Sequence, residues 1–243
     1  MKSTYFSKPL EFSINVNGES WKQGEVVAGD IEVKNHSGEE IDLSQYSLSL
    51  CIADIKKIQK KDAKGILVLE ELTIENAQQG FSFKLDDNCP ITQKSSGPYI
   101  VCGKKGELID GHHLALQVSP SELVSNILEV LENFMRFKVK SLRPKKESLE
   151  AVIILPTVKE FTSVSQFKLN LTKDNDNLKL DYLFKIKKVC FDGGVTSTKD
   201  ETKKFTSTLT PKEYLIYGSS LNQDLIVEKV SSILDEIKVR PII

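Results

Sequence analysis

Arginine is nearly missing from this 243-residue chain: only Arg136, Arg143 and Arg240 stand among its 33 cationic residues. Arginine makes most bidentate contacts to phosphates and base edges. With 33 Lys+Arg against 34 Asp+Glu the net charge is -1, so the basic excess of a nucleic-acid binder is missing too. That class is set aside, and the abundant lysine reads as compositional bias. Cysteine is sparse, with Cys51, Cys89, Cys102 and Cys190 far apart and no C-x-x-C pair to frame a structural zinc site. An even count leaves disulfides open. Met1–Tyr5 leads into no apolar run, however, so no secretory signal is read, and four free thiols in a reducing, cytoplasmic setting are expected. No apolar stretch approaches the roughly 20 residues of a membrane span. The hydrophobic fraction, 40%, is ordinary and argues for a packed core rather than disorder.

What is present is period-two alternation. Trp21–Asn35 (W-K-Q-G-E-V-V-A-G-D-I-E-V-K-N) turns at Gly24-Glu25, then sets Val27, Gly29, Ile31 and Val33 on one face. Gly29 among buried positions is expected to admit close approach of a second sheet. Leu10, Phe12, Ile14 and Val16 make an earlier strand, and Tyr46, Leu48, Leu50 and Ile52 a later one. Apolar character resumes at Ile66–Ile74, then come Phe81, Phe83 and Leu85, then Tyr99–Cys102, and last Leu114, Leu116 and Val118. About seven short strands separated by turn signals predict an immunoglobulin-like sandwich over residues 1–118.

The texture changes at Ser119. Ser119-Pro120-Ser121-Glu122 reads as a capping box, and Leu123, Val124, Ile127, Leu128, Val130, Leu131, Phe134 and Met135 recur at helical spacing. Strand-like runs follow at Phe137–Leu142, Ala151–Leu155, Phe167–Leu171, Leu178–Val189 and Lys203–Leu209, with Thr172–Asn177 a hairpin signal. In the fourth run Leu178, Leu180, Tyr182, Phe184 and Ile186 are expected inside, with Lys179, Asp181, Lys185 and Lys187 outside. Gly193–Glu201 reads as a polar loop. Thr210-Pro211-Lys212-Glu213 is a second capping box, opening a helical turn through Tyr217 that Gly218 stops. A final helix carries Leu225, Ile226, Val230, Ile233, Leu234 and Ile237 on one stripe, capped from within Ser220–Gln223. Residues 119–243 are therefore an α+β lobe with two helices around about five strands.

Three pieces of the first half, in order, resemble the arrestin-like superfamily, which includes bacterial sporulation-control proteins. Trp21 to Val33 is similar to its aromatic-x-x-G-E-x-V-x-G-x-[I/V]-x-V strand. Phe81–Leu85, Pro90 and Ser95–Tyr99 are similar to its F-x-F-x-[L/I]…P…S-x-G…Y region. Leu114–Pro120 is similar to its closing L-x-L-x-V-x-P strand. The match spans roughly residues 9–120. The resemblance implies a noncatalytic scaffold or adaptor in trafficking, signalling or developmental control. No P-P-x-Y motif is present, so a ubiquitin-ligase adaptor role is not carried over, and neither is receptor binding. The second half departs from a second arrestin sandwich.

Signals for chemistry are weak throughout. His112-His113 is the sole histidine pair, and neighbours on a strand point to opposite faces, a poor joint metal site. His36 falls in a turn. No G-x-S-x-G elbow supports a serine triad, and Cys51 sits on a strand face. Asp174–Asn177 lacks the glycine and distal glutamate of a calcium loop and reads as a turn. No metal, cofactor or catalytic residue is assigned. The feature with functional scope is Lys56, Lys57, Lys60, Lys61 and Lys64, five lysines within nine residues around Ile55 and Ile58. If helical, they set a basic face beside two apolar residues, suited to an acidic protein partner or an anionic membrane surface. The plain alternative is a solvated loop. The expectation is a noncatalytic interaction module, an adaptor or regulator binding another protein, with peripheral membrane contact as a further option. The competing expectation is a small-molecule or lipid carrier, its cavity lined by Phe167, Tyr182 and Phe184.

Overall fold

The computed structural model describes residues 1–145, 147–157, 164–192 and 195–237, and gives the backbone alone for 187–192 and 195–199. The chain divides into two compact units, Met1–Pro120 and Ser121–Ile243.

In the first unit, β1 (Lys2–Ser7), β2 (Leu10–Val16), β3 (Trp21–Lys22) and β4 (Val26–Asn35) precede β5 (Tyr46–Asp54). A short helix α1 (Ile55–Ile58) then leads to β6 (Ile66–Thr73), β7 (Gln78–Lys84), β8 (Ser96–Lys104), β9 (His112–Ala115) and β10 (Val118–Ser119). One antiparallel sheet has the order β1-β2-β4-β7, and the other β6-β5-β8-β9. Alternation explains the register: Phe12 faces Val33, Ile14 faces Ile31, and Val27 faces Phe83, so each pair puts two apolar side chains on one face. These residues bury together with Leu48, Leu50, Ile100 and Leu116 in a single apolar core. Val27, Ile31, Val33, Leu48, Leu50, Phe81, Phe83 and Leu116, which the alternation sets inward, are all buried.

Three details differ from the sequence reading. β1 is an additional strand; its exposed and half-buried residues carry little apolar alternation. The closing strand is broken in two, because β9 ends at Ala115 while Val118 and Ser119 pair in parallel with Trp21 and Lys22. Gly29 makes room for neighbours within its own sheet rather than for a second sheet. A Cβ there would lie 2.0 Å from the Asn15 carbonyl oxygen on β2 and 2.8 Å from Phe81 Cζ on β7.

The second unit opens with α2 (Glu122–Asn133), followed by a five-stranded antiparallel meander. Its strands are β11 (Lys138–Pro144), β12 (Leu149–Ile154), β13 (Gln166–Asp174), β14 (Asn177–Asp192) and β15 (Val195–Leu209). Then come α3 (Pro211–Tyr214), the small hairpin β16 (Leu215–Ile216) and β17 (Ser220–Leu221), and α4 (Gln223–Ile237). Leu178, Leu180, Tyr182, Phe184 and Ile186 are buried as their alternation requires. The buried stripes of the two long helices meet each other, and α2 also touches β11.

Here too the boundaries shift. Ser121, not Ser119, caps α2, accepting from the Val124 N–H at 3.4 Å. Ser119 is engaged elsewhere, its carbonyl accepting from the Gln23 N–H at 3.1 Å. Phe134, expected on the buried stripe, is 60% exposed one residue beyond the helix. The supposed polar loop is mostly strand: Val195 to Glu201 pair with Asp192 to Ile186. Its threonines suit a strand that lacks an apolar face, which a search for alternation overlooks. Gly193, Gly194 and the side chains of Lys187 and Cys190 lie outside the described residues. The helical turn after Thr210 stops at Tyr214 instead of Tyr217, because Tyr217 and Gly218 have φ of 53° and 79° and turn a hairpin. The Thr210 capping box is present, the Thr210 N–H donating to Glu213 Oε2 at 2.7 Å.

The Gly29 geometry gives a paired expectation. Gly29→Ala should destabilise the protein by about 3 kcal/mol, since backbone lies where the methyl must go. Gly80→Ala, on the neighbouring β7 and with nothing nearer than 3.8 Å, should be neutral or slightly stabilising. Urea unfolding of both variants reads the difference, and equal midpoints would refute the close-approach role.

Candidate interaction surface

β5 is buried on both faces, and the lysine-rich insertion follows from that. Leu48 and Leu50 face the core between the sheets. Cys51 and Ala53 point the other way and need their own cover, which Ile58, Tyr99, Val101 and Leu108 supply. Ile58 is 9% exposed, with Ile55 and Ile66 packed beside it. The segment between β5 and β6 is therefore a lid over the outer face of the sheet.

Local hydrogen bonds hold its shape. Asp54 caps α1 by accepting from the Lys56 N–H at 3.1 Å, and Asp62 caps the next turn by accepting from the Lys64 N–H at 3.0 Å. The Lys61 N–H donates to the Ile58 carbonyl at 2.8 Å, with Lys61 in the left-handed region at φ 54°. Gly65 closes the segment: a Cβ there would come within 2.9 Å of the Ile58 nitrogen and 3.0 Å of Lys57 Cβ. Both aspartates of the segment are thus engaged as caps. All five lysines are exposed. Lys61 lies 3.5 Å from Asp110, an exposed pair worth little. Among the described residues, no ion pair holds Lys56, Lys57, Lys60 or Lys64.

The amphipathic-helix expectation needs correcting. α1 is one turn long, and both isoleucines are turned into the protein, so neither is presented beside the lysines. What sequence reading missed is the strand that follows. Leu67, Val68 and Leu69 of β6, read only as resumed apolar character, are 60%, 43% and 46% exposed. β6 stands at the edge of its sheet, and its residues Leu67 to Glu71 are all exposed.

The other candidates resolve into structure. Cys51, Cys89 and Cys102 are free and buried, and burial pushes each thiol up to about 12, the opposite of an activated nucleophile. Asn175 sits in a two-residue hairpin turn between the paired Asp174 and Asn177. His112 and His113 do point apart. His112 Nε2 lies 2.6 Å from Ser3 Oγ and its ring stacks on Tyr5, tying β9 to β1 across the sandwich. Burial lowers its pKa. Burial also lowers that of His113, opposed by a hydrogen bond to the Leu108 backbone, and His113 Nε2 is buried without a partner. His36 is exposed and 2.9 Å from Glu11. Among the described residues there is no cluster able to hold a metal ion, and no helix long and apolar enough to cross a membrane.

No protein-family model matches this sequence, and no curated protein matches it. Among solved structures, the sporulation control protein Spo0M of Bacillus subtilis is similar, with a TM-score of 0.60 and 17% identity, over 93% of this chain and 98% of that one. The fold is therefore arrestin-like: a β-sandwich followed by an α+β lobe. The likeness to that structure extends past the first half into the α+β lobe.

The half-buried histidines and the buried cysteines each generate a measurable outcome. Both half-buried histidines, His112 and His113, have pKa values below the ordinary 6.5 when folded, so unfolding takes up protons. Their contribution is fully present above about pH 6.5 and is lost as pH falls through their lowered folded values. Urea midpoints should fall between pH 7.5 and 5.5, and less steeply in a His112→Gln, His113→Gln variant; parallel slopes would contradict this. Denatured, unreduced protein should titrate four free thiols, while native protein hides Cys51, Cys89 and Cys102 from the reagent; fewer than four in the denatured chain would reveal a bridge.

Proposed function

We propose that this protein is a noncatalytic interaction module, an adaptor or regulator, that meets an acidic protein partner through Lys56, Lys57, Lys60, Lys61 and Lys64. The observation that carries the reading is the lid itself. Five exposed lysines, four of them without an ion pair, are held on an ordered segment anchored by Ile58. Holding cations in place before binding lowers the ordering cost of the complex. The structural neighbour Spo0M is a sporulation control protein, and a regulatory role accords with this reading. An acidic protein is preferred to a membrane because Ile55 and Ile58 are packed inward and leave the insertion without an apolar anchor.

The second unit supports an adaptor over a carrier. Phe167 and Phe184 stack at 4.8 Å and Tyr182 packs at 6.3 Å from Phe167, so the rings expected to line a cavity fill the space with one another. Between α2 and the β16–β17 hairpin runs a half-open groove of about 440 Å³ lined by Asn126, Phe134 and Leu221 among others, an opening suited to a peptide more than to an enclosed lipid. Buried free thiols suit a reducing, cytoplasmic compartment.

The test is salt-dependent binding to anionic probes. Interactions of exposed charges are screened beyond about 8 Å at physiological ionic strength, so affinity should fall as salt rises. Wild type should bind polyglutamate by calorimetry, and the Lys56→Gln, Lys57→Gln, Lys60→Gln, Lys61→Gln variant should not, with an unchanged melting temperature. Phosphatidylserine vesicles form the second arm, where each lysine would contribute on the order of 1 kcal/mol. Binding to vesicles but not polyglutamate would move the partner to the membrane. No difference between wild type and variant with either probe would reduce the cluster to a solubilising face.

A further inference from the structure

The edge strand β6 has a polarity that selects what can pair with it. It hydrogen-bonds to β5 on one side and ends the strand order on the other. An open edge offers unpaired N–H and C=O groups to an added strand. Leu67, Val68 and Leu69 are exposed at its middle, and Leu69 is the residue left out where Leu50 pairs with Glu70 and Cys51 with Val68. At its N-terminal end stand Lys57 and Lys64, beside Gly65. At its C-terminal end stand exposed Glu70, Glu71 and Glu75, and Glu75 shares an open groove of about 580 Å³ with Glu40 and Asp42.

An antiparallel strand laid on this edge brings its own C-terminal end to the lysines and its N-terminal end to the glutamates. The complement is therefore basic first, apolar in the middle and acidic last. That is the pattern of β6 itself, K-G-I-L-V-L-E-E from Lys64 to Glu71. We propose that β6 pairs antiparallel with β6 of a second copy, joining two four-stranded sheets edge to edge about a two-fold axis. Centred near Val68, the pairing sets Leu67 beside Leu69 of the second copy and covers the apolar stretch of both. It sets Lys57 and Lys64 of each copy alongside the glutamates of the other, twice over by symmetry. The pairing draws on Lys57 and Lys64, two of the five lysines of the proposed function, and leaves Lys56, Lys60 and Lys61 free to meet an acidic partner.

Sedimentation equilibrium over a concentration series tests it, with far-UV circular dichroism and melting to confirm that each variant folds. Wild type should approach twice the monomer mass as concentration rises. Leu67→Thr, Leu69→Thr should weaken the dimer at least about tenfold through lost apolar burial. The same variant should bind polyglutamate at least as tightly as the wild type, because its lysines are intact and Lys57 and Lys64 are released from the second copy. Lys57→Glu, Lys64→Glu carries acid at both ends of the strand, and Glu70→Lys, Glu75→Lys carries base at both. Each alone should be monomeric, and the two mixed should form a heterodimer. A monomeric wild type at every concentration overturns the proposal, and if that monomer still binds polyglutamate the proposed function of the lysines stands without it. Variants that associate as the wild type does, or a mixture that stays monomeric, also overturn it.

Discussion

The burial of β5 on both faces is the constraint from which the surface chemistry follows. A sandwich strand ordinarily turns one face to the core and one to water. Here Cys51 and Ala53 on the outward face are as dry as Leu48 and Leu50 on the inward one. Something must cover them, and the chain does it with the segment that links β5 to β6. Burying Ile58 there stabilises the lid by roughly 2 kcal/mol. Once Ile58 is fixed, the lysines around it have nowhere to point but outward.

The same constraint bears on the edge. Because the linking segment is drawn over the face of the sheet, it does not wrap the side of β6, and that strand enters with its apolar middle uncovered. The bulge at Leu69 and the lysines Lys57 and Lys64 at the strand's start restrict which strand can be added to this edge. A segment that serves as cover for the core thus also sets out charge and an open strand side by side.

Alternation makes the core of the sandwich legible, because period two with β-branched residues fits a half-buried strand and little else; Val27, Ile31, Phe81 and Phe83 lie where their spacing requires. It fails where strands lack an apolar face, as in β1 and the threonine-rich start of β15. It also fails at caps and breaks, where tertiary hydrogen bonds decide between near-equal choices: Gln23 engages Ser119, and the cap passes to Ser121. The lysine cluster is visible as composition. That Ile55 and Ile58 serve the lid rather than a binding face is not, since a four-residue helix has no period to read. Leu67 to Leu69 read as an apolar strand, and only strand order reveals that it is an edge.

The lysine-rich insertion is an ordered lid anchored by Ile58, and amide hydrogen exchange tests this most directly. The N–H groups of Lys61, Asp62 and Gly65 donate to the carbonyls of Ile58, Lys57 and Asp62 at 2.8 Å, 3.1 Å and 2.8 Å. They should exchange far more slowly than in an unstructured peptide, and Ile58→Ala should release them while leaving the β2–β4 ladder protected. Exchange of these three amides at unstructured rates in the wild-type protein would contradict the ordered lid and make the lysines a solvated loop.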